Sequence, residues 1–335
     1  LTLLLLTFKL GHLKTMSNLP NISAQIDEKI IFKVLQKNYA SLARYFISMS
    51  SNWLIGAYKQ YNDIDKFIII IYLINKDLSF YRKNGISIDY ETFYRDKTLE
   101  IEKINISDIS KDLEIPKESV RRKVAELEKK EVISKTGKKI FLNRSAFYAA
   151  QAKNTLKDLC SLLYEFNKIL KKDKITDNVF EVDQINKSIK ENFTFCWYQF
   201  YKFMFIYLKR WKKVFNDLET FCIGQVLVVN ATQNKEFEPS KSNIKSWREE
   251  IMGSDFRGVN AMSISDITGI PRPTVVRKLK WLIENNYLNI NNKKLISLDV
   301  KESAFEKTAR LQDKNMLSLS HLIHRLFNQI KVINS

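Results

Sequence analysis

Two kinds of hydrophobic pattern alternate along the chain, and the series is written twice. From Tyr39, apolar side chains recur three and four residues apart (Tyr39, Leu42, Phe46, Met49, Trp53), the spacing that lays one buried stripe along a helix. A second apolar helix is predicted over about 64–75. A polar, poorly patterned insert follows at about 76–104, then a compact unit of short helices and a hairpin, then a closing helix read from "LKDLCSLLYEFNKIL". From Phe193 the series returns as Phe193, Cys196, Phe200, Phe203 and Tyr207. An apolar helix over about 217–229, an insert at about 231–259, a second compact unit and "MLSLSHLIHRLFNQI" complete it. The longest apolar runs, Phe67–Ile74 and Phe193–Leu208, predict no membrane span. The first is far short of the ~20 residues a spanning helix needs, and Gln199 and Lys202 break the second.

The repetition extends to individual residues. Asn105–Asn143 aligns on Asn260–Leu298 without a gap. Ile115/Ile270, Pro116/Pro271, Val120/Val275, Arg122/Arg277, Lys123/Lys278 and Leu127/Leu282 match, and "YNDIDKF" (61–67) returns as "FNDLETF" (215–221). The pattern divides the chain into a first half, 16–166, a connector rich in Lys, Asp and Asn, 167–192, and a second half, 193–335. Residues 1–15 read as a non-native leader, with Met16 expected as the start, because they lack the basic region and cleavage site of a signal peptide.

Within the second compact unit, Asn260 is placed to cap a helix through Ile264 and Ile267. Gly269 suits the left-handed turn that ends it, and Pro271 holds Ile270 extended while preorganising the next helix. Val275, Leu279 and Leu282 then recur at helical spacing and bury one face. Arg272, Thr274, Arg277 and Lys278 are expected on the other. In "YLNINNKKLISL", Asn291-Asn292 lies between two β-capable runs, a hairpin turn in which asparagine takes positive φ. Lys293 and Lys294 ride on that hairpin. Helix, tight turn, helix and basic hairpin form a winged helix-turn-helix. A helix fits the major groove, where arginine bonds guanine O6 and N7, and hairpin lysines meet phosphates.

"ISDITGIPRPTVVRKLKWLIENNYL" (264–288) and "ISKDLEIPKESVRRKVAELEKKEVI" (109–133) resemble the winged helix-turn-helix transcriptional regulators of bacteria, in the broad MarR-like sense. The resemblance covers about 39 residues in each half and implies DNA binding and regulation of promoters, sometimes under a small ligand. In the first copy, Lys117, Ser119, Arg121 and Arg122 are expected to face the groove, with Lys135, Lys138 and Lys139 on the wing. Two departures stand out. Glu114 occupies the turn position of Gly269, at about 1 kcal/mol if left-handed, and Pro273 replaces Glu118, tolerable only in a first helical turn.

Composition adds a polyanionic partner. Fifty-five Lys and Arg against 37 acidic residues leave a net charge of +18, which points first to nucleic acid, second to an anionic membrane surface, and otherwise to a solubilising coat. Cys160, Cys196 and Cys222 lack paired spacing and read as reduced core residues. His321 and His324 lie three apart without further ligands nearby, so no metal site is expected. Eight glycines, no phosphate loop and no His/carboxylate constellation argue against an enzyme or a cofactor.

The expectation is therefore a mainly α protein of two tandem winged helix-turn-helix domains with long flanking helices, forming an intramolecular pseudo-dimer. Its partner is double-stranded DNA, its place the cytoplasm with the nucleoid, and further homodimerisation is left open. Because "KESVRR" and "RPTVVR" differ, the two half-sites, ~34 Å apart if one helical turn separates them, should differ too. A plasmid-type replication initiator and a winged-helix protein–protein scaffold are the alternatives.

Overall fold

The computed structural model describes residues 25–95, 98–101, 104–136, 139–143, 153–232, 244–252 and 258–334. The leader expected at 1–15 and the wing residue Lys138 lie outside these described residues. Within them the chain is mainly helical. In order come α1 (Glu28–Lys37), α2 (Tyr39–Tyr61), α3 (Ile64–Lys83), α4 (Tyr90–Arg95), β1 (Thr98–Ile101), α5 (Ile106–Leu113), α6 (Lys117–Lys129), β2 (Ile133–Thr136), β3 (Lys139–Asn143) and α7 (Lys153–Lys172). They are followed by α8 (Val182–Glu191), α9 (Phe193–Phe215), α10 (Leu218–Thr232), α11 (Ile244–Met252), α12 (Ala261–Thr268), α13 (Arg272–Glu284), β4 (Leu288–Ile290), β5 (Ile296–Leu298) and α14 (Glu302–Asn334). No helix among the described residues is long and apolar enough to cross a membrane.

The repeated "ND" has a local cause. Asn62 and Asn216 end α2 and α9 at positive φ (53° and 69°), a conformation asparagine tolerates better than most side chains. The next residue is an aspartate that caps the following helix. Asp63 Oδ1 accepts from the Lys66 amide at 3.1 Å, and Asp217 Oδ1 accepts from the Thr220 amide at 2.7 Å. One dipeptide thus stops a long helix and starts the next in both halves.

The halves interlock by exchanging contacts. Helix α2 packs on α10 while α9 packs on α3, and α1 packs on α14 while α8 packs on α7. Phe46 meets Tyr207 edge-on at 5.3 Å between ring centres across α2 and α9. Trp247 on α11 packs on Tyr39 of α2 at 5.3 Å, and Tyr90 on α4 packs on Phe193 of α9 at 5.1 Å. Buried asparagines make the same exchange. Asn328 on α14 donates to the Ile26 carbonyl (3.0 Å) and accepts from its amide (2.9 Å). Asn167 on α7 donates to the Asn178 carbonyl (3.0 Å) and accepts from the Phe180 amide (2.8 Å). Each backbone group so held is spared the penalty of burial without a partner. Between the halves, Gln225 donates to Ser50 (2.7 Å), and within its own half it donates to Tyr207 (2.9 Å).

Two sequence boundaries move. The connector expected at 167–192 begins inside α7 and includes α8, which repeats α1; only 173–181 and Asn192 lie outside helices. Low apolar content concealed α8, whose buried face is Ile185, Ser188 and Ile189. The inserts also carry structure. Strand β1 joins the first hairpin in the antiparallel order β1-β3-β2, and Val259 makes a lone bridge to Ile296 beside the second. Cys160, Cys196 and Cys222 are free and buried, and burial pushes their thiols up to about 12.

Candidate nucleic-acid interface

Both compact units fold by the same local devices. In the first, Asn105 Oδ1 accepts from the Asp108 amide (2.9 Å) while the Asp108 carboxylate accepts from the Asn105 amide (3.2 Å), a reciprocal cap on α5. In the second, Asn260 Oδ1 accepts from the Ser263 amide at 2.9 Å. Both first helices end left-handed, at Glu114 (φ 52°) and Gly269 (φ 74°). The turn is then closed by a serine hydroxyl that donates to the apolar residue before the proline: Ser110 to the Ile115 carbonyl and Ser265 to the Ile270 carbonyl, each at 2.7 Å. Pro116 and Pro271 precede α6 and α13 with nearly identical torsions (φ −52° and −53°). Pro273 falls in the first turn of α13, where a missing amide does no harm.

The turns are braced from the opposite half. The Glu114 carboxylate receives Lys209 (2.8 Å) and Lys213 (3.3 Å) from α9, and these ammonium groups hold its carboxyl below the usual range. At the second turn, a Cβ added to Gly269 would lie 3.2 Å from the stem of Lys59 on α2. The strained glutamate is therefore held by charge where the glycine is accommodated by size.

Val120, Val124 and Leu127 bury one face of α6, and Val275, Leu279 and Leu282 bury the same face of α13. On the other side, Lys117, Arg121, Arg122, Arg272 and Arg277 are exposed, and Ser119 and Thr274 are half-buried. Lys135 and Lys139 are exposed on the first hairpin, Lys293 and Lys294 on the second.

Lys278 departs from expectation. It is buried, with 8% of its surface exposed, and its ammonium binds Asp217 at 2.6 Å and Thr220 at 3.3 Å, with Glu219 at 4.0 Å. A lysine on the helix flank beside the apolar stripe reaches inward when a carboxylate waits there. Lys123, its repeat partner, does the same with Asp63, and Asp65 lies at 3.9 Å. Although burial drives the Asp217 carboxyl up, the Lys278 and Thr220 hydrogen bonds hold it below its ordinary range; burial and the Asp217 charge push Glu219 up. The matched lysines thus lock each second helix to the acidic cap of the preceding long-helix junction. The signal was present in the sequence, since "ND" with a further acid two residues on recurs wherever the lysine recurs.

Sequence reading also missed two exposed positions on α13. Val276 exposes 49% of its surface in the middle of the outer face, and Lys280 lies one turn on, loosely paired with Glu284 at 3.7 Å. An apolar side chain there suits a thymine methyl group. The hairpin turn differs from expectation as well. Asn291 builds it by accepting from the Lys293 and Leu295 amides (both 3.0 Å), while the residue at positive φ is Lys294 (59°).

The two outer faces are charged differently. Arg121 is clamped by Glu118 (2.8 Å), Arg122 lies 3.9 Å from Glu126, Lys135 pairs with Glu128 (3.0 Å) and Lys139 with Glu100 (2.6 Å). Arg272, Arg277, Lys293 and Lys294 have no carboxylate within ion-pair distance among the described residues. There, too, no three His, Cys, Asp or Glu side chains converge as metal ligands. No family model, curated protein or solved structure matches this chain.

Proposed function

We propose that the chain binds double-stranded DNA sequence-specifically and regulates transcription, through two unequal winged helix-turn-helix units held as a pseudo-dimer within one polypeptide. The observation that carries this reading is the matched exposure of Arg122 and Arg277. Each lies on the outer face of a second helix whose inner face is core, in a chain of net charge +18. Arginine at such a position pairs with guanine in the major groove, and the hairpin lysines neutralise phosphates alongside. The second unit supplies most of the affinity, because Arg272, Arg277, Lys293 and Lys294 meet phosphate without first leaving a carboxylate. Neither a catalytic step nor a cofactor enters.

Selection of binding sites from random duplex DNA, at two salt concentrations, tests it. An asymmetric site should emerge, with affinity falling steeply as salt rises. Failure to enrich any sequence, with binding indifferent to salt, would leave a protein–protein scaffold as the better description.

A further inference from the structure

The second helices of the two units, α6 and α13, keep their inner faces and exchange their outer ones. In the register that sets Asn105 on Asn260, Glu118, Arg121, Glu126 and Glu128 of α6 answer to Pro273, Val276, Trp281 and Ile283 of α13. The exchanges come in pairs. Glu118 and Arg121, joined at 2.8 Å in the first unit, give way together to Pro273 and Val276. Glu128 and its hairpin partner Lys135 (3.0 Å) give way together to Ile283 and Ile290. Where the first unit answers charge with charge, the second sets apolar side chains beside cations.

Some of these apolar groups serve the fold. Trp281 stacks on Tyr287 at 6.1 Å between ring centres, and Trp281 and Ile283 both pack against the core. Val276 is instead exposed, while its neighbour Val275 is the wholly buried member of the pair. A β-branched residue also gives up some helix propensity, so the helix does not account for it either. Its surroundings do. Arg272, Val276 and Lys280 follow one another at four-residue spacing along one exposed stripe, with Pro273 and Arg277 exposed beside them. A single apolar side chain on a surface is ordinary. One at the centre of a cationic stripe, on the face turned away from the core, fits a partner that is anionic at its rim and apolar in its middle.

We infer that Val276 makes the second unit a reader of 5-methylpyrimidines: at one base pair of its half-site it selects thymine, or cytosine bearing a methyl group at C5. The inference rests on the DNA-binding reading and gives that surface a base chemistry. Phosphates flank the major groove, within the province of Arg272 and Lys280. The groove floor displays hydrogen-bonding groups at every pair, and an apolar group only where thymine sets its C5 methyl. Valine can bond none of the polar groups. Facing guanine or unmethylated cytosine, it would cover them without answering them, so it gains from the methyl and is penalised by its absence. Methylation of cytosine at C5 presents the same group in the same place. The first unit has Arg121 at this position, so the dependence on a methyl group belongs to one half-site alone.

The test uses the full chain and a duplex selected from random DNA. Each thymine is replaced in turn by deoxyuridine, which keeps every hydrogen bond and removes the methyl alone, and affinity is read by fluorescence anisotropy. One replacement, in the half-site that Arg277→Ala disturbs, should weaken binding about three- to tenfold; none in the other half-site should do so. A C·G pair at the responsive position should bind more weakly than T·A, and 5-methylcytosine there should recover the methyl's share. Val276→Ala and Val276→Arg, the latter restoring the first-unit residue, should each bind the thymine and deoxyuridine duplexes alike. Because the side chain is exposed, both variants should unfold at the parent's midpoint. A second half-site without thymine, or a parent that binds tightly and steeply with salt yet ignores every methyl, overturns the inference and leaves the DNA-binding reading standing. A methyl effect that survives Val276→Ala overturns it too, since another residue would be the reader. A chain that selects no duplex at all overturns both.

Discussion

The two halves share a scaffold and differ in what they leave uncompensated. Each ends its long helix on asparagine, caps the next with aspartate, ties a buried lysine to that aspartate and closes its turn with a serine hydroxyl at 2.7 Å. The first half fills its core with isoleucine and matches its outer arginines with glutamates. The second leaves Arg272 and Arg277 without a carboxylate within ion-pair distance among the described residues, and sets Gly224 and Gln225 where the first has Ile70 and Ile71. Residues repeated between copies therefore divide into two groups. Lys123/Lys278 recurs because the fold uses it, whereas Arg122/Arg277 recurs on a surface where the fold has no use for it.

That division can be broken by experiment. Lys278→Ala removes the cation facing Asp217 and Glu219 and should destabilise the protein by about 3 kcal/mol in denaturant unfolding, since a broken buried pair strands its partner. Arg277→Ala should leave stability unchanged and weaken binding to a selected site by ~1–3 kcal/mol, relaxing preference at one base pair. If the two effects were exchanged, the assignment of inner and outer cations would be wrong.

A third contrast concerns acid chemistry. Asp77 on α3 is half-buried with Oδ2 lacking a hydrogen bond, where α10 has Ala231, and burial raises its carboxyl from 3.8 to about 7. In the unfolded chain it ionises at the lower value, so ionisation favours unfolding. Stability should therefore decline as pH rises from about 4 to about 7 and level off beyond. Asp77→Asn should remove that decline. It should match the parent near pH 4 and exceed it by roughly 1.5 kcal/mol at pH 8, allowing for partial exposure.

Smaller effects sharpen the comparison. Glu118→Gln frees Arg121 and takes a negative charge from the outer face. The pair is exposed, so the gain in DNA affinity should stay under about 1 kcal/mol, seen in titrations at low salt. Glu114→Gly relieves left-handed strain of about 1 kcal/mol but forfeits the ion pairs with Lys209 and Lys213. A net stabilisation of roughly 0.5 kcal/mol, read from the unfolding midpoint, is expected.

Much of this was legible in the sequence. Gly269, Pro271 and the Val275/Leu279/Leu282 stripe specify the second unit through short-range sterics and helical periodicity, which act within a few residues. Glu114 at the same turn was legible by its register against Gly269. Contacts between distant segments were not. Lys278 turned inward because Asp217 lies 61 positions away in the chain, and no local pattern states which flank of a helix an acid will approach. Helix α8 escaped notice because its buried face is short and partly polar, and the exchange of α1 and α8 between halves is a matter of topology that periodicity does not encode. Arg248 lay in an insert whose pattern held no sign that it would be buried against Phe305 and Thr308.

The most direct test compares the salt dependence of binding to one selected duplex for the parent, for Arg121→Ala/Arg122→Ala and for Arg272→Ala/Arg277→Ala. The parent should lose affinity steeply with salt. The change in the second unit should weaken binding and flatten that slope more than the change in the first, by about one unit for each phosphate that is no longer neutralised. A parent indifferent to salt, or both variants binding as the parent does, would contradict the claim that these helices meet DNA.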